Sequence, residues 1–336
     1  GAWHQGAGFA QPYQESAGVT GRQTSRQATR QRTHKPSSQR GPVRGHLGNR
    51  KRKRNRRHGP INALKRSWRK ANWPTRIKMG LIPTVAVVVV VALVAELVRF
   101  TNWRAQVRAA EAAQLELTRT YDFNPGNIIS DGQFFNGSAM SQAEVQSFLD
   151  TQGGSLAAMT FDTSNESGEG LCTDYTGTKG ESAAAIIDQS ARACKVSQKV
   201  LLTVMQKEQH LVTAVDPSDY QLMAAMGLNC PDTADCDPTY AGFFRQVYGA
   251  AKRYRYYLEH EEQYGYTAHN LNYIQYHPNA ACGGAQVYIE NKATALLYIY
   301  TPYQPNIAAL AAGNGTGDSC SSYGNRNFAL IYTSWF

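Results

Sequence analysis

From Met79 to Val98 the chain reads MGLIPTVAVVVVVALVAELV, twenty residues with one charge, Glu96. Basic residues close it on both sides, Arg76 and Lys78 before, Arg99 and Arg104 after. A helix of that length spans about 30 Å, the thickness of a bilayer's hydrocarbon core. A strand rarely exceeds about ten residues, so the run predicts a transmembrane helix at 79–98. Pro83 is expected in its first turn, where a missing N–H costs least. The 78 residues that precede the run are too many for a cleaved signal peptide, so it reads as a retained anchor.

Beyond the run the rhythm changes. Residues 99–120 are rich in Ala, Glu and Arg and predict a helical stalk. From Tyr121 to Phe336 helical and loop signals alternate, as in a folded domain. Asn124-Pro-Gly-Asn127 predicts a turn, and Ser141-Gln-Ala-Glu144 is a capping box ahead of Val145, Phe148 and Leu149. Thr151–Gly180 reads as a loop and Glu181–Ala193 as an Ala/Ile helix. Ser197 caps a second helix running to about Thr213, residues 240–263 predict a third, and 285–300 a fourth, ended by Thr301-Pro302. Sustained strand alternation is missing, so the expected fold is mainly α, with long loops.

Charge divides the chain at the same place. Residues 1–78 hold 20 Lys/Arg and one acid, Glu15, a balance of +19; the remaining 15 basic and 24 acidic residues give −9. By the positive-inside rule the cluster Arg50–Arg57, with Lys65, Arg66, Arg69 and Lys70, keeps the N-terminus in the cytoplasm and exports residues 99–336. Residues 1–60 lack the aliphatic side chains needed to offset chain entropy, so the tail (domain 1–78) is expected to be disordered. Such a tail suits anionic lipid headgroups, an acidic cytoplasmic partner or nucleic acid, or serves only to fix topology. A uniformly basic nucleic-acid binder is excluded.

All six cysteines lie on the acidic side, as an oxidising compartment favours. Six allow 15 connectivities. Proximity suggests Cys172 with Cys194, Cys230 with Cys236, and Cys282 with Cys320. A zinc site competes, but C-x5-C without a second close pair fits it poorly. No cofactor or metal is expected.

One helix carries a chemically specific pattern. Leu201, Val204, Met205, Glu208, Leu211 and Val212 follow the i, i+3, i+4, i+7 rhythm, so Glu208 sits within an apolar stripe, while Lys199, Thr203 and His210 fall opposite. A carboxylate there is costly unless it is partnered or protonated. A protonated carboxyl in an apolar setting is equipped to donate to a leaving oxygen. The plainer reading is a helix-forming Glu paired with Lys207 or Lys252.

Val196-Ser-Gln-Lys-Val-Leu-Leu202 leading to Glu208, with Ala225-Met-Gly-Leu228 after it, resembles the first motifs of the lysozyme-like superfamily, particularly goose-type lysozymes and the soluble lytic transglycosylase domain. Gln209 stands where that family commonly has Ser, and its Gly-Leu-Met-Gln signature is reduced to Gly227-Leu228-Asn229. Asn272-Tyr273 faintly matches a third motif. Gln206-Lys-Glu-Gln209, Tyr276-His-Pro-Asn279, Tyr300-Thr-Pro-Tyr303 and Tyr323-Gly-Asn-Arg-Asn327 are similar to exported actinobacterial proteins labelled hemagglutinin-like.

The resemblance implies that 121–336 is a lysozyme-like domain acting on peptidoglycan glycan strands, with Glu208 as general acid and then base. As the family does it, the acid protonates the oxygen between MurNAc and GlcNAc, then takes the proton of the sugar's 6-hydroxyl as a 1,6-anhydro ring closes. A hydrolase would need a second acid, for which Asp216, Asp219, Asp232 and Asp235 are candidates. Thirteen tyrosines fall between Tyr240 and Tyr303, and aromatic faces stack on sugars. Tyr254 and Tyr257, at helical spacing, read as core. Tyr273, Tyr276 and Tyr303, expected on loops, join Asn229 and Asp232 as substrate-binding candidates. His269 and His277 read as loop residues, and Glu259-His-Glu-Glu262 as a solvated acidic patch. The rival expectations are a glycan-binding or adhesion module, and an envelope scaffold.

Overall fold

The computed structural model describes residues 60–231 and 236–336. Of the tail 1–78 expected to be disordered, residues 1–59 lie outside the described residues, whereas the rest is corrected to helix over Pro60–Lys70 and from Trp73 onward. The chain divides into two compact units, with the division between Thr101 and Asn102.

The first unit holds α1 (Pro60–Lys70) and the beginning of α2 (Trp73–Tyr121). Among the described residues α2 is the one helix long and apolar enough to cross a membrane. It starts before the apolar run, so the first-turn proline is Pro74 and Pro83 lies inside the helix, contrary to expectation. The Thr84 hydroxyl donates to the Gly80 carbonyl in the turn around it, at 2.8 Å.

The second unit begins with the last twenty residues of α2, the expected stalk, of which Val107, Ala110 and Gln114 are buried. The Asn124–Asn127 turn forms as predicted, closed by Asn127 N–H on the Asn124 carbonyl at 3.1 Å. Gly126 is required in it, because a Cβ would fall 2.1 Å from Gln114 Nε2 and 2.3 Å from the Tyr288 carbonyl.

Mainly helical structure follows: α3 (Asp131–Phe134), α4 (Gln142–Gln152), α5 (Ala183–Cys194), α6 (Gln198–Gln209), α7 (Asp219–Met223), α8 (Phe243–Glu259), α9 (Lys292–Tyr300), α10 (Ile307–Ala311) and α11 (Gly324–Trp335). The caps were legible locally. Ser141 and Glu144 complete the capping box of α4, and Ser197 caps α6. Lys195 and His210, both at φ 54°, end α5 and α6 in the left-handed conformation. The core is built from Ile186, Ile187 and Ala191 of α5, Val200–Met205 of α6, Val247, Ala251 and Tyr254 of α8, and Leu296 and Ile299 of α9. Thus α6 is buried all round, and Thr203, expected on a polar face, returns its hydroxyl to the Lys199 carbonyl at 2.8 Å.

Two antiparallel pairs interrupt the helices. β1 (Thr160–Phe161) meets β2 (Glu181–Ser182), and β3 (Asn270–Gln275) meets β4 (Gly284–Ile289) with Asn272 opposite Val287 and Tyr273 opposite Gln286. The second hairpin corrects the fourth helix expected over 285–300: its first third is strand, because Val287 and Ile289 alternate inward toward Ile274 before the helical run starts at Lys292. The expected acidic patch is also corrected. Glu261 is buried, paired with Lys292 and accepting the Ala268 N–H at 2.6 Å. Three disulfides join Cys172 to Cys194, Cys230 to Cys236 and Cys282 to Cys320, the same neighbours that proximity paired.

Candidate functional site

Glu208 is the penultimate residue of α6, and the chain turns sharply after it. Gln206 ties the turn through its side chain to both Thr213 N–H, at 3.3 Å, and Thr213 Oγ1, at 2.9 Å. Gln221 of α7 donates to the Gln209 carbonyl at 2.7 Å. The carboxylate is thereby fixed at a helix end on the surface of the core, its side chain 9% exposed.

Lys207 Nζ lies 2.5 Å from Glu208 Oε1, and the Lys207 side chain is only 7% exposed. That ammonium also donates to Thr301 Oγ1 at 3.3 Å and sits 5.0 Å from the centroid of the Tyr300 ring. Glu208 Oε2 lies over Gly227, where a Cβ would come within 3.2 Å of it. Gly227 has φ 70°, a conformation that glycine adopts without strain. The turn around it is clamped by Gln246 of α8, fully buried, which accepts from Met226 N–H (3.1 Å) and Leu228 N–H (3.0 Å) and donates to the Leu228 carbonyl (2.9 Å).

Two tyrosines wall the carboxylate. The Tyr300 hydroxyl donates to the Met226 carbonyl and has Glu208 as a second hydrogen-bonding neighbour. Burial first, then the negative charge of Glu208, hold the Tyr300 and Tyr254 hydroxyls well above the ordinary tyrosine range. Their rings stack at 5.3 Å, and the Tyr254 hydroxyl meets no hydrogen-bond partner among the described residues.

The pairing that the plainer expectation named, Glu208 with Lys207, is the one observed. Tyrosines and an apolar core surround Glu208, but an ammonium faces it. The ammonium lies between this carboxylate and the Thr301 hydroxyl and Tyr300 ring at the C-terminal end of α9. Lys252, the other lysine considered, pairs with Glu169 at 3.3 Å.

Of the substrate-binding candidates, Asn229 stands next to the Gly227-Leu228 turn, at φ 51°, with Asp237 N–H on its carbonyl at 2.9 Å. Asp232 and Asp235 lie outside the described residues. Asp216 and Asp219 are exposed. Tyr273 is in β3 and not on a loop, because it occupies an outward position of the alternating strand, 55% exposed. Tyr276 and Tyr303 are half-buried, and Tyr303 forms a bridge with Gln275 at the end of β3. Asn325 holds the Tyr300–Tyr303 segment by donating to the Thr301 and Tyr303 carbonyls at 2.9 Å each. Asn272 is internal, spanning Thr267 N–H and carbonyl, so the faint third motif is a turn-former. Thr301 and Gln246 were missed. The only signal for Gln246 was an amide on the apolar face that Phe243, Val247 and Tyr254 define.

Fold and site thus describe a disulfide-bonded, mainly helical domain with a largely buried acid, Glu208, at the end of α6, preceded by an apolar helix. The sequence profile described as "LasA, N-terminal domain" matches residues 127–336, and the chain belongs to that family. No curated protein and no solved structure matches the chain.

Proposed function

We propose that residues 121–336 form a cell-wall-directed domain that cleaves peptidoglycan glycan strands, with Glu208 as its acid–base group. In this reading α2 crosses the cell membrane, the basic N-terminal side stays in the cytoplasm and the disulfide-bonded unit faces the wall. LasA, for which the family is named, is a staphylolytic protein related to the M23 peptidases, which supports a relation to the cell wall and leaves the bond cleaved to the site itself.

The observation that supports the proposal is the approach of Glu208 Oε2 to Gly227, where a Cβ would come within 3.2 Å of it. It joins the two motifs of the lysozyme-like resemblance, an acid ending one helix and a Gly-Leu turn about twenty residues later, in one place. To act on the glycan Glu208 must be freed from Lys207, so in this reading the glycan parts the pair, its hydroxyls taking over Lys207. The Glu208 proton passes to the glycosidic oxygen as the C–O bond breaks. The carboxylate then removes the proton of the 6-hydroxyl, whose oxygen closes on the anomeric carbon. Tyr273, Tyr276 and Tyr303 offer faces to neighbouring sugars.

The Lys207 pair favours a second reading, glycan binding without cleavage. Incubating the full chain with purified peptidoglycan separates the two. Anhydro-muropeptides support the transglycosylase and reducing ends a hydrolase; bound but intact strands support the binding module and overturn the enzyme.

A further inference from the structure

The first unit carries a surface that the proposed function does not use. In α1, Ile61, Leu64 and Trp68 recur at i, i+3 and i+7 and make one apolar edge; Lys65, Arg66, Arg69 and Lys70 share the remaining surface with Asn62, Ala63 and Ser67. Every residue of α1 is exposed, including Ile61 and Leu64 at 69% and 63%. A bare eleven-residue helix is marginal in water, and one polar and basic on one side but apolar on the other needs an interface to cover it.

What stands next to α1 narrows the choice of interface. Arg76, in the first turn of α2, donates through Nε to the Trp68 carbonyl at 3.0 Å and through Nη2 to the Arg69 carbonyl at 3.2 Å, so it caps the C-terminal end of α1. The Trp68 ring lies over Gly80, where a Cβ would come within 3.5 Å of it. Both contacts tie α1 to the first turns of the helix whose apolar run begins at Met79. The apolar edge of α1 is thereby held where that run starts, with four cations beside it.

We infer that α1 is a membrane-surface helix that lies among anionic lipid headgroups, its Ile61–Leu64–Trp68 edge in the acyl boundary and its basic face on the headgroup charge. Charge complementarity and continuity with α2 both point to the bilayer in which α2 sits. This rests on α2 as a membrane span. Each of the four cations is expected to change occupancy of the anionic surface about fivefold.

All six cysteines of the protein are paired, so a single introduced thiol can be spin-labelled in the full chain. Leu64→Cys, Lys65→Cys and Val89→Cys are compared in nanodiscs of phosphatidylcholine alone and with phosphatidylglycerol as a third of the lipid. Collision with dissolved oxygen and with a water-soluble nickel chelate reports depth. The expected result is an oxygen-rich position 64 and a nickel-rich position 65 on the anionic discs. The contrast should fade on neutral discs, and also when the remaining basic residues of α1 are changed to Gln. A nickel-accessible position 64 on anionic discs overturns the inference, as does its release by polyglutamate or duplex DNA. A nickel-accessible position 89 instead overturns the membrane span, which keeps the two failures apart.

Discussion

Lys207 and Glu208 are consecutive on α6, yet their charged ends close to 2.5 Å with both side chains more than nine-tenths buried. Breaking such a pair by removing one partner leaves an uncompensated charge away from water, which costs about 3–5 kcal/mol. Glu208→Gln is therefore expected to lower the denaturant midpoint of the full chain in detergent. Lys207→Met with Glu208→Gln should restore most of the loss, since no charge then remains. A double variant as unstable as the single one would show that the pair is incidental.

On peptidoglycan, Glu208→Gln should reduce product formation by about 10²–10⁴-fold, the range that proton transfer by a positioned group supplies. Glycan binding by the same variant should change much less. Unchanged release of muropeptides, measured chromatographically, removes Glu208 from the chemistry.

Gly227→Ala imposes two costs. An alanine at φ 70° loses about 1–2 kcal/mol to the left-handed conformation, and its Cβ would crowd Glu208 Oε2 at 3.2 Å. The second cost should vanish when position 208 is shortened. The two substitutions, Gly227→Ala and Glu208→Ala, are thus expected to be less than additive in urea unfolding; strict additivity would deny the contact.

Alkaline pH should unfold the second unit. Tyr254, Tyr298 and Tyr300 are held protonated well above the ordinary tyrosine value by burial, with neighbouring negative or tyrosine groups adding to it. Tyr248 and Tyr266 are pushed up to about 12. A raised folded value means that the stability is fully present below the unfolded value of 10 and falls away as pH rises beyond it. Tyrosinate absorbance should therefore rise in a late, cooperative step coincident with loss of helix by circular dichroism. A gradual rise centred near 10 without unfolding would contradict the buried environment.

Removing the disulfides one at a time should destabilise in the order of the loops they close. Cys282–Cys320 spans 38 residues, Cys172–Cys194 spans 22 and Cys230–Cys236 only 6. Chain entropy puts the three near 4, 3 and 2 kcal/mol in turn (about, on that account alone). Paired Cys→Ser variants compared by thermal melting check the ranking.

What the sequence made legible was local. The caps at Ser141 and Ser197, the turn at Asn124–Asn127 and the cysteine pairs close within short stretches of chain, and each formed as read. The hairpin was hidden because the inward alternation of Val287 and Ile289 covers only a few residues before the apolar run of α9 overwrites it. At the candidate site the stripe position of Glu208 was visible, while its surroundings were not. Thr301 and Tyr300 come from almost a hundred residues away, and the clamp by Gln246 depends on how α8 packs, which no periodicity encodes. Thr203 shows the same limit in reverse, since a helix enclosed on every side still reads as two-faced.

The Gln114 amide, reaching from the last turns of α2, accepts the Tyr288 N–H at 2.8 Å and donates to its carbonyl at 3.2 Å, and Gly126 takes the next free N–H, that of Glu290, at 2.8 Å. A side chain and a turn thus imitate the strand that β4 lacks on its outer side. An open β-edge is a template for another chain, and here its C-terminal end, at Tyr288 and Glu290, is already occupied. Copies of the protein crowded together on one surface thereby find that end of the sheet closed to pairing.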